Sequence, residues 1–145
     1  MEFRYLIAAT LALGATAALA HTGVKNPAVM ARMNGMSAIS DNVEVLGTMA
    51  KGQVAFDAAS AKTAARAIAR HSAESVDLFA AQETDPKSEA LPAIWENFDD
   101  FTAKAQDIEA FANEWSEKIT TLEDVRAGMR PLGQSCKACH SLYRE

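Results

Sequence analysis

Between Ile94 and Ile119 the apolar residues fall at Ile94, Phe98, Phe101, Ala105, Ile108, Ala112, Trp115 and Ile119, in alternating steps of four and three. That spacing puts every one of them on a single stripe of an α-helix, and a strand, whose faces alternate at every second residue, has no use for it. Such a stripe must be covered along its length by other helices. The chain supplies three. A segment opening at Asn26-Pro27 carries Val29, Met33, Met36, Val43 and Ala50 on one face, with Ile39 and Leu46 alongside, and closes at Lys51-Gly52. An N-cap asparagine before proline and a glycine after a cation are ordinary start and stop signals. A second segment starts near Asp57 and carries Ala61, Ala64, Ala65, Ile68, Val76 and Phe79. The last runs from about Leu122 to Tyr143 with Val125, Met129, Leu132, Cys136 and Cys139 on its stripe. Pro131 should kink or break it near Ala127 to Arg130. Residues 82–92, QETDPKSEALP, form the longest linker. No run alternates with period two, so the expectation is all-α: an antiparallel four-helix bundle.

The first residues have a different character. MEFRYLIAATLALGATAALA has one Arg, an apolar stretch and a small-residue Ala18-Leu19-Ala20 end. That is the order of a secretory leader, and the stretch is short for a membrane anchor. Cleavage after Ala20 leaves 125 residues from His21 onward, enough for one domain and too few for two. The leader removes one Glu and one Arg, so the net charge stays at −5. An acidic chain of this size argues against nucleic acid and anionic membrane as partners. It suits a soluble periplasmic protein that meets small molecules or proteins with basic patches.

The chain closes with GQSCKACHSLYRE. Cys136, Cys139 and His140 are spaced by three and four, so on a helix they project from one face. C-x-x-C-H is the attachment signature of a c-type haem: two thiols add to the vinyl groups on one porphyrin edge, and the adjacent imidazole reaches the iron. A zinc site needs four ligands, and the remaining His21 and His71 offer no second close pair. A thioredoxin-type dithiol follows a strand, and none precedes this one. A plain disulfide leaves the histidine unexplained.

At CKACH followed by SLYR, with Tyr143 and Arg144, the sequence resembles the class II c-type cytochromes, the cytochrome c prime family. The Arg32 region, the Lys51-Gly52 helix end and Ile94-Trp95 add weaker likeness. The resemblance implies one covalent haem c wedged between helices, with Cys136 and Cys139 as thioether positions and His140 as proximal axial ligand. It also implies a choice at the distal face. Five-coordinate members cover the iron with Leu or Phe and bind only small gases such as NO or CO, while low-spin members place a methionine there. Counting back from Lys51-Gly52, as those members do, reaches Met36.

Periodicity independently puts Met36 on the buried stripe, one turn from Met33, the nearest rival. Met30 and Met49 lie off that stripe, and Met129 is on the haem-bearing helix itself. Six methionines in an alanine-rich helical chain are otherwise core filler. Arg32 is a candidate for a haem propionate through charge-assisted bonds, and Arg144 for a propionate or for covering the imidazole. His71 is expected to be partly exposed, and Trp95 and Trp115 to be core. With both axial positions filled, the iron has no open site for substrate chemistry, and a Met/His pair favours the ferrous state. The expectation is a periplasmic electron carrier rather than an enzyme, exchanging single electrons with a redox protein. No membrane span is expected after leader removal, and two copies could pair through the first two helices. The alternatives are a five-coordinate gas-binding protein and, third, a peroxidase-like activity, for which no distal His or Arg pair is visible.

Overall fold

Asn26 starts the first helix: its side-chain oxygen accepts from the backbone N–H of Ala28 (2.9 Å) and of Val29 (3.2 Å), and Pro27 takes the first helical position. This is a computed structural model, and it describes residues 23–145. The expected leader, 1–20, and His21 lie outside the described residues. α1 (Pro27–Ala50) ends at Lys51, whose N–H returns to the Gly47 carbonyl, and Gly52 turns away at φ 71°. That left-handed angle is where glycine avoids the Cβ penalty. α2 (Ala58–Leu78) is capped by Asp57, which accepts from the Ser60 N–H at 2.7 Å. Hydrogen bonds from the Ser60 side chain and backbone hold the Asp57 carboxyl below its usual range.

The third periodic segment differs from the uninterrupted helix its stripe suggested. It is a single turn, α3 (Ala93–Glu96), followed after Asn97 by α4 (Phe98–Lys118). Asn97 leaves the helical region at φ −133° and ψ 47°. The break has a physical reason. The turn after Pro92 buries Ile94 and lets the Trp95 indole N–H donate to the Phe79 carbonyl at 2.8 Å. It also opens a fresh N-terminus at which Asp99 and Asp100 sit favourably against the helix dipole. Apolar spacing survives across the break, so periodicity alone could not show it. Ile119 lies just past the end of α4 and is fully buried.

α5 (Leu122–Tyr143) opens with a capping box: Thr121 accepts from the Asp124 N–H, and the Asp124 carboxylate accepts from Thr120 and Thr121. Those bonds bring the Asp124 carboxyl down to about 2. Of the kink or break expected at Pro131, the break does not occur, and α5 runs through it. Proline removes one hydrogen bond at a cost of about 3 kcal/mol, and the cap together with buried Val125 and Leu132 on either side of it holds α5 in register.

Around the bundle α1 packs on α2, α2 on α4, α4 on α5, and α5 back on α1. Arg66 meets Glu117 at one end of the α2–α4 pair and Phe79 meets Phe101 at the other, so neighbours run antiparallel. Ala61, Ala64, Ala65 and Ala69 are buried on α2 and let α1 and α4 come close. Met49, off the apolar stripe by spacing, is only 5 % exposed and belongs to the core.

The linker after α2 is tied at both ends. Asp85 accepts from the backbone N–H groups of Lys25 (2.8 Å) and Asn26 (3.0 Å), and Glu83 from the Asn26 side chain (2.8 Å). Further along, the Leu91 N–H donates to the Tyr143 carbonyl and the Glu145 N–H to the Glu89 carbonyl, both at 3.0 Å.

Among the described residues one buried side-chain oxygen stands alone. Ser72 on α2 is 2 % exposed, and its hydroxyl has no hydrogen-bond partner among the described residues. A buried hydroxyl left unpaired costs about 1–3 kcal/mol. In the apoprotein Ser72→Ala should therefore raise stability by about 1 kcal/mol, read as a higher urea midpoint with an unchanged m-value. A lower midpoint would show that the hydroxyl is engaged after all.

Candidate cofactor site

The apolar core of the bundle is in two parts. One gathers Leu46, Met49, Ile68, Trp115, Val125 and Leu132, with Ile39, Ile108, Met129 and Cys136 at its margin. The other gathers Phe79, Ile94, Phe101 and Tyr143, with Met36, Trp95, Phe98 and Cys139 at its margin. α1 changes from one cluster to the other between Ile39 and Met36, and α5 between Cys136 and Cys139. On α2 the buried Ser72 and Ser75 lie between Ile68 and Phe79, and on α4 the buried Ala105 lies between Ile108 and Phe101. All four long helices therefore change over at one level, and at that level they carry small or sulfur-bearing side chains.

Cys136 and Cys139 are free and half-buried, one turn apart. Burial pushes both thiols above their ordinary pKa. His140 stands at the rim with solvent access, and its apolar surroundings and the nearby Arg144 guanidinium lower its pKa. A neutral imidazole has a free nitrogen lone pair, which is what a metal needs. Met36 is half-buried and packs in the same cluster as Cys139. Met33 is half-buried nearby on α1, and Met129 is at the margin of the other cluster. The donor set fits a porphyrin: thiols for the vinyl groups, imidazole nitrogen and thioether sulfur for iron, and two apolar clusters for the macrocycle faces.

Beside Cys139 lies a polar group that spacing did not reveal. The Tyr143 hydroxyl donates to Asp100 at 2.5 Å, and Lys104 pairs with Asp100 at 3.2 Å. The Asp100 hydrogen bond pushes the Tyr143 phenol up to about 12. Tyr143 is part of the motif, but Asp100 and Lys104 reach it only through the antiparallel packing of α4 on α5.

The two arginines have other partners in this structure. Arg32 is 3 % exposed and donates to the carbonyls of Leu78 (2.9 Å), Glu83 (2.8 Å) and Ala81. Its guanidinium lies 4.9 Å from the Phe79 ring centre and 5.2 Å from that of Trp95. Arg32 thus acts as a clamp on the end of α2 and the start of the linker, where the sequence suggested a propionate partner. Nothing in one-dimensional spacing tells a buried arginine facing carbonyls from one facing a carboxylate. Arg144 pairs with Glu89 at 2.6 Å. His71 sits on α2 and pairs with Glu74 at 2.7 Å.

Residues 27–144 match the sequence profile of the family described as Cytochrome C'. Cytochrome c-554 of Cereibacter sphaeroides is 36% identical over 145 residues, covering 96% of this chain and 95% of that one. Cytochrome c-556 of Agrobacterium tumefaciens is 36% identical over 110 residues, covering 75% of this chain and 89% of that one. Among solved structures, cytochrome c prime from Shewanella frigidimarina superposes with a TM-score of 0.72 at 29% identity, covering 81% of this chain and 94% of that one.

Proposed function

Since this chain belongs to the cytochrome c prime family, whose members carry covalent haem c in electron transport, we propose that it is a periplasmic one-electron carrier with His140 and Met36 as the two axial ligands. The observation that supports this most is the shared level at which the core divides. It brings Met36 of α1 into the cluster that holds Cys139 of α5, next to His140. When bound, the haem supplies a one-electron couple between ferrous and ferric iron, and a thioether ligand favours the ferrous side. The chain does the rest. The two apolar clusters would exclude water from a haem bound here, and thioether bonds at Cys136 and Cys139 would fix its edge on α5. The lowered pKa of His140 favours the neutral form of its ring, the form that ligates.

On this reading residues 1–20 are an export leader, and residues 21–145 are the mature domain. No helix among the described residues is long and apolar enough to cross a membrane. Val45, 38 % exposed on α1, is on the α1–α2 side through which two copies would pair.

Visible spectra of the parent and of Met36→Ala test the proposal. The parent should show a sharp low-spin α band when reduced. Met36→Ala should turn the iron high-spin, lower its potential and admit CO. The fold should survive, because one Met-to-Ala change in a core costs about 2–5 kcal/mol and the haem remains tethered. Met33→Ala is the matched control, with no change of spin state. A parent that is already high-spin and binds CO readily would instead support a five-coordinate NO- or CO-binding protein.

A further inference from the structure

The haem that this family carries brings two carboxylates with it, and the side chains expected to meet them are engaged elsewhere. Arg32 directs its guanidinium to the carbonyls of Leu78, Ala81 and Glu83, and Arg144 is paired with Glu89. One donor inside the bundle is uncommitted. The Ser72 hydroxyl on α2 is buried and has no partner among the described residues. Serine in a helix has an easy acceptor in a carbonyl three or four residues back, and the other buried serines use it. Ser75 donates to the carbonyls of His71 (3.0 Å) and Ser72 (2.7 Å), and Ser116 to that of Asn113 (2.7 Å).

The direction of the Ser72 side chain follows from the helix. At about 100° per residue, Ile68, Ser72 and Ser75 fall within about 60° of one another, and all three are buried. Ser72 therefore faces the bundle interior, at the level where the core divides. α2 lies diagonally across from α5, since each packs on α1 and on α4. In a c-type haem the two propionates leave the macrocycle on the side opposite the two tethered substituents. A tether on α5 thus sends the propionate side across the bundle towards α2. A trapped water accounts less well for the lone hydroxyl. It needs roughly two to four polar partners, and the buried side chains flanking Ser72 on this face are Ile68, Phe79 and the committed Ser75.

We propose that Ser72 is a cofactor-binding residue whose hydroxyl donates to a carboxylate oxygen of one haem propionate. A hydrogen bond to an ionised acceptor is roughly twice as strong as a neutral one, and a carboxylate among apolar side chains is costly to leave bare. The bond explains why a hydroxyl stands where alanine would suit the apoprotein better. The proposal rests on the tether at Cys136 and Cys139 and is independent of the distal ligand.

Two measurements on the intact holoprotein test this. Resonance Raman spectra excited in the Soret band contain bending modes of the propionates, whose frequency responds to hydrogen bonding at the carboxylate. Ser72→Ala should move one propionate band to lower frequency and leave the other in place. Ser72→Thr, which keeps the hydroxyl, should hold the parent position. Ser75→Ala, one turn away on the same face, should not move either band. The second measurement is urea unfolding of the holoprotein. There Ser72→Ala should lower the midpoint, opposite in sign to the rise expected in the apoprotein. Unmoved propionate bands in Ser72→Ala, or a midpoint that rises in the holoprotein as well, would overturn the proposal. Unmoved propionate bands with a shifted red charge-transfer band of the ferric methionine–haem pair would give the hydroxyl to the Met36 sulfur instead. Haem extractable from the parent would remove the tether and the proposal with it. A parent that is tethered but high-spin would remove only the electron-carrier reading and leave the Ser72 bond to be read from the same bands.

Discussion

Gly128→Ala should lower the melting temperature of the holoprotein by on the order of 10 °C. Gly128 lies inside α5, where alanine would ordinarily be better by about 1 kcal/mol. Here a Cβ would stand 2.0 Å from Cε2, 2.3 Å from Nε1 and 2.4 Å from Cζ2 of Trp115. Those atoms belong to a rigid fused ring, so nothing flexible can give way. Trp115 is also fixed by its indole N–H, which donates to the Asp124 carbonyl at 2.9 Å. Accommodating the methyl means moving the ring, breaking that bond and loosening the cluster around Ile119 and Val125. Overpacking costs about 1–3 kcal/mol and the lost bond about 1 kcal/mol, which together exceed the propensity gain. Trp115→Phe in the Gly128→Ala background should recover part of the loss, so the two changes should be clearly non-additive. A single variant as stable as the parent would mean that Trp115 does not rest on the α5 backbone.

The second large effect is on the cofactor. Cys136→Ala with Cys139→Ala, expressed in a host that exports and matures c-type cytochromes, should give no haem stain after denaturing electrophoresis, because only thioether bonds survive denaturation. Each single variant should retain stain through its remaining thiol. Both cysteines border the level where the core divides. A double variant that loses its haem should therefore also melt at lower temperature, since a ligand bound only by the folded state stabilises that state. Haem that is extractable from the parent under the same conditions would contradict covalent attachment.

Much of this architecture could be read directly. Asn26-Pro27, Lys51-Gly52 and Asp57 act through bonds to their own neighbours, and such local chemistry is visible in sequence. CKACH is legible for the same reason, since its three groups share one helical turn. What was not legible depends on contacts distant along the chain. Asn97 leaves the helix because Trp95 reaches Phe79, which no periodicity records. Arg32 and Met36 are one turn apart with similar spacing cues, yet one clamps carbonyls and the other joins an aromatic cluster. Met49 looked peripheral by step counting, but α2 and α5 together are wide enough to bury a residue beside the stripe. Pro131 looked like a breaker because propensity ignores how firmly packing can hold the turns around it.

The tied linker has a consequence for how the site responds to a change of charge. A loop of this length is ordinarily among the more mobile parts of a domain. This one is bonded to the first helix through Asp85, Glu83 and Arg32, and to the last through Glu89 and Leu91. It is therefore a brace between the helix that carries Met36 and the helix that carries His140. A brace limits how far those two helices can drift apart in thermal motion, and so narrows the range of separations between the proposed axial ligands. When an electron arrives, fewer atoms have to find new positions. Low reorganisation of this kind would let a carrier accept and release charge quickly at modest driving force, and here it would come from a segment outside the motif that holds the cysteines and the histidine.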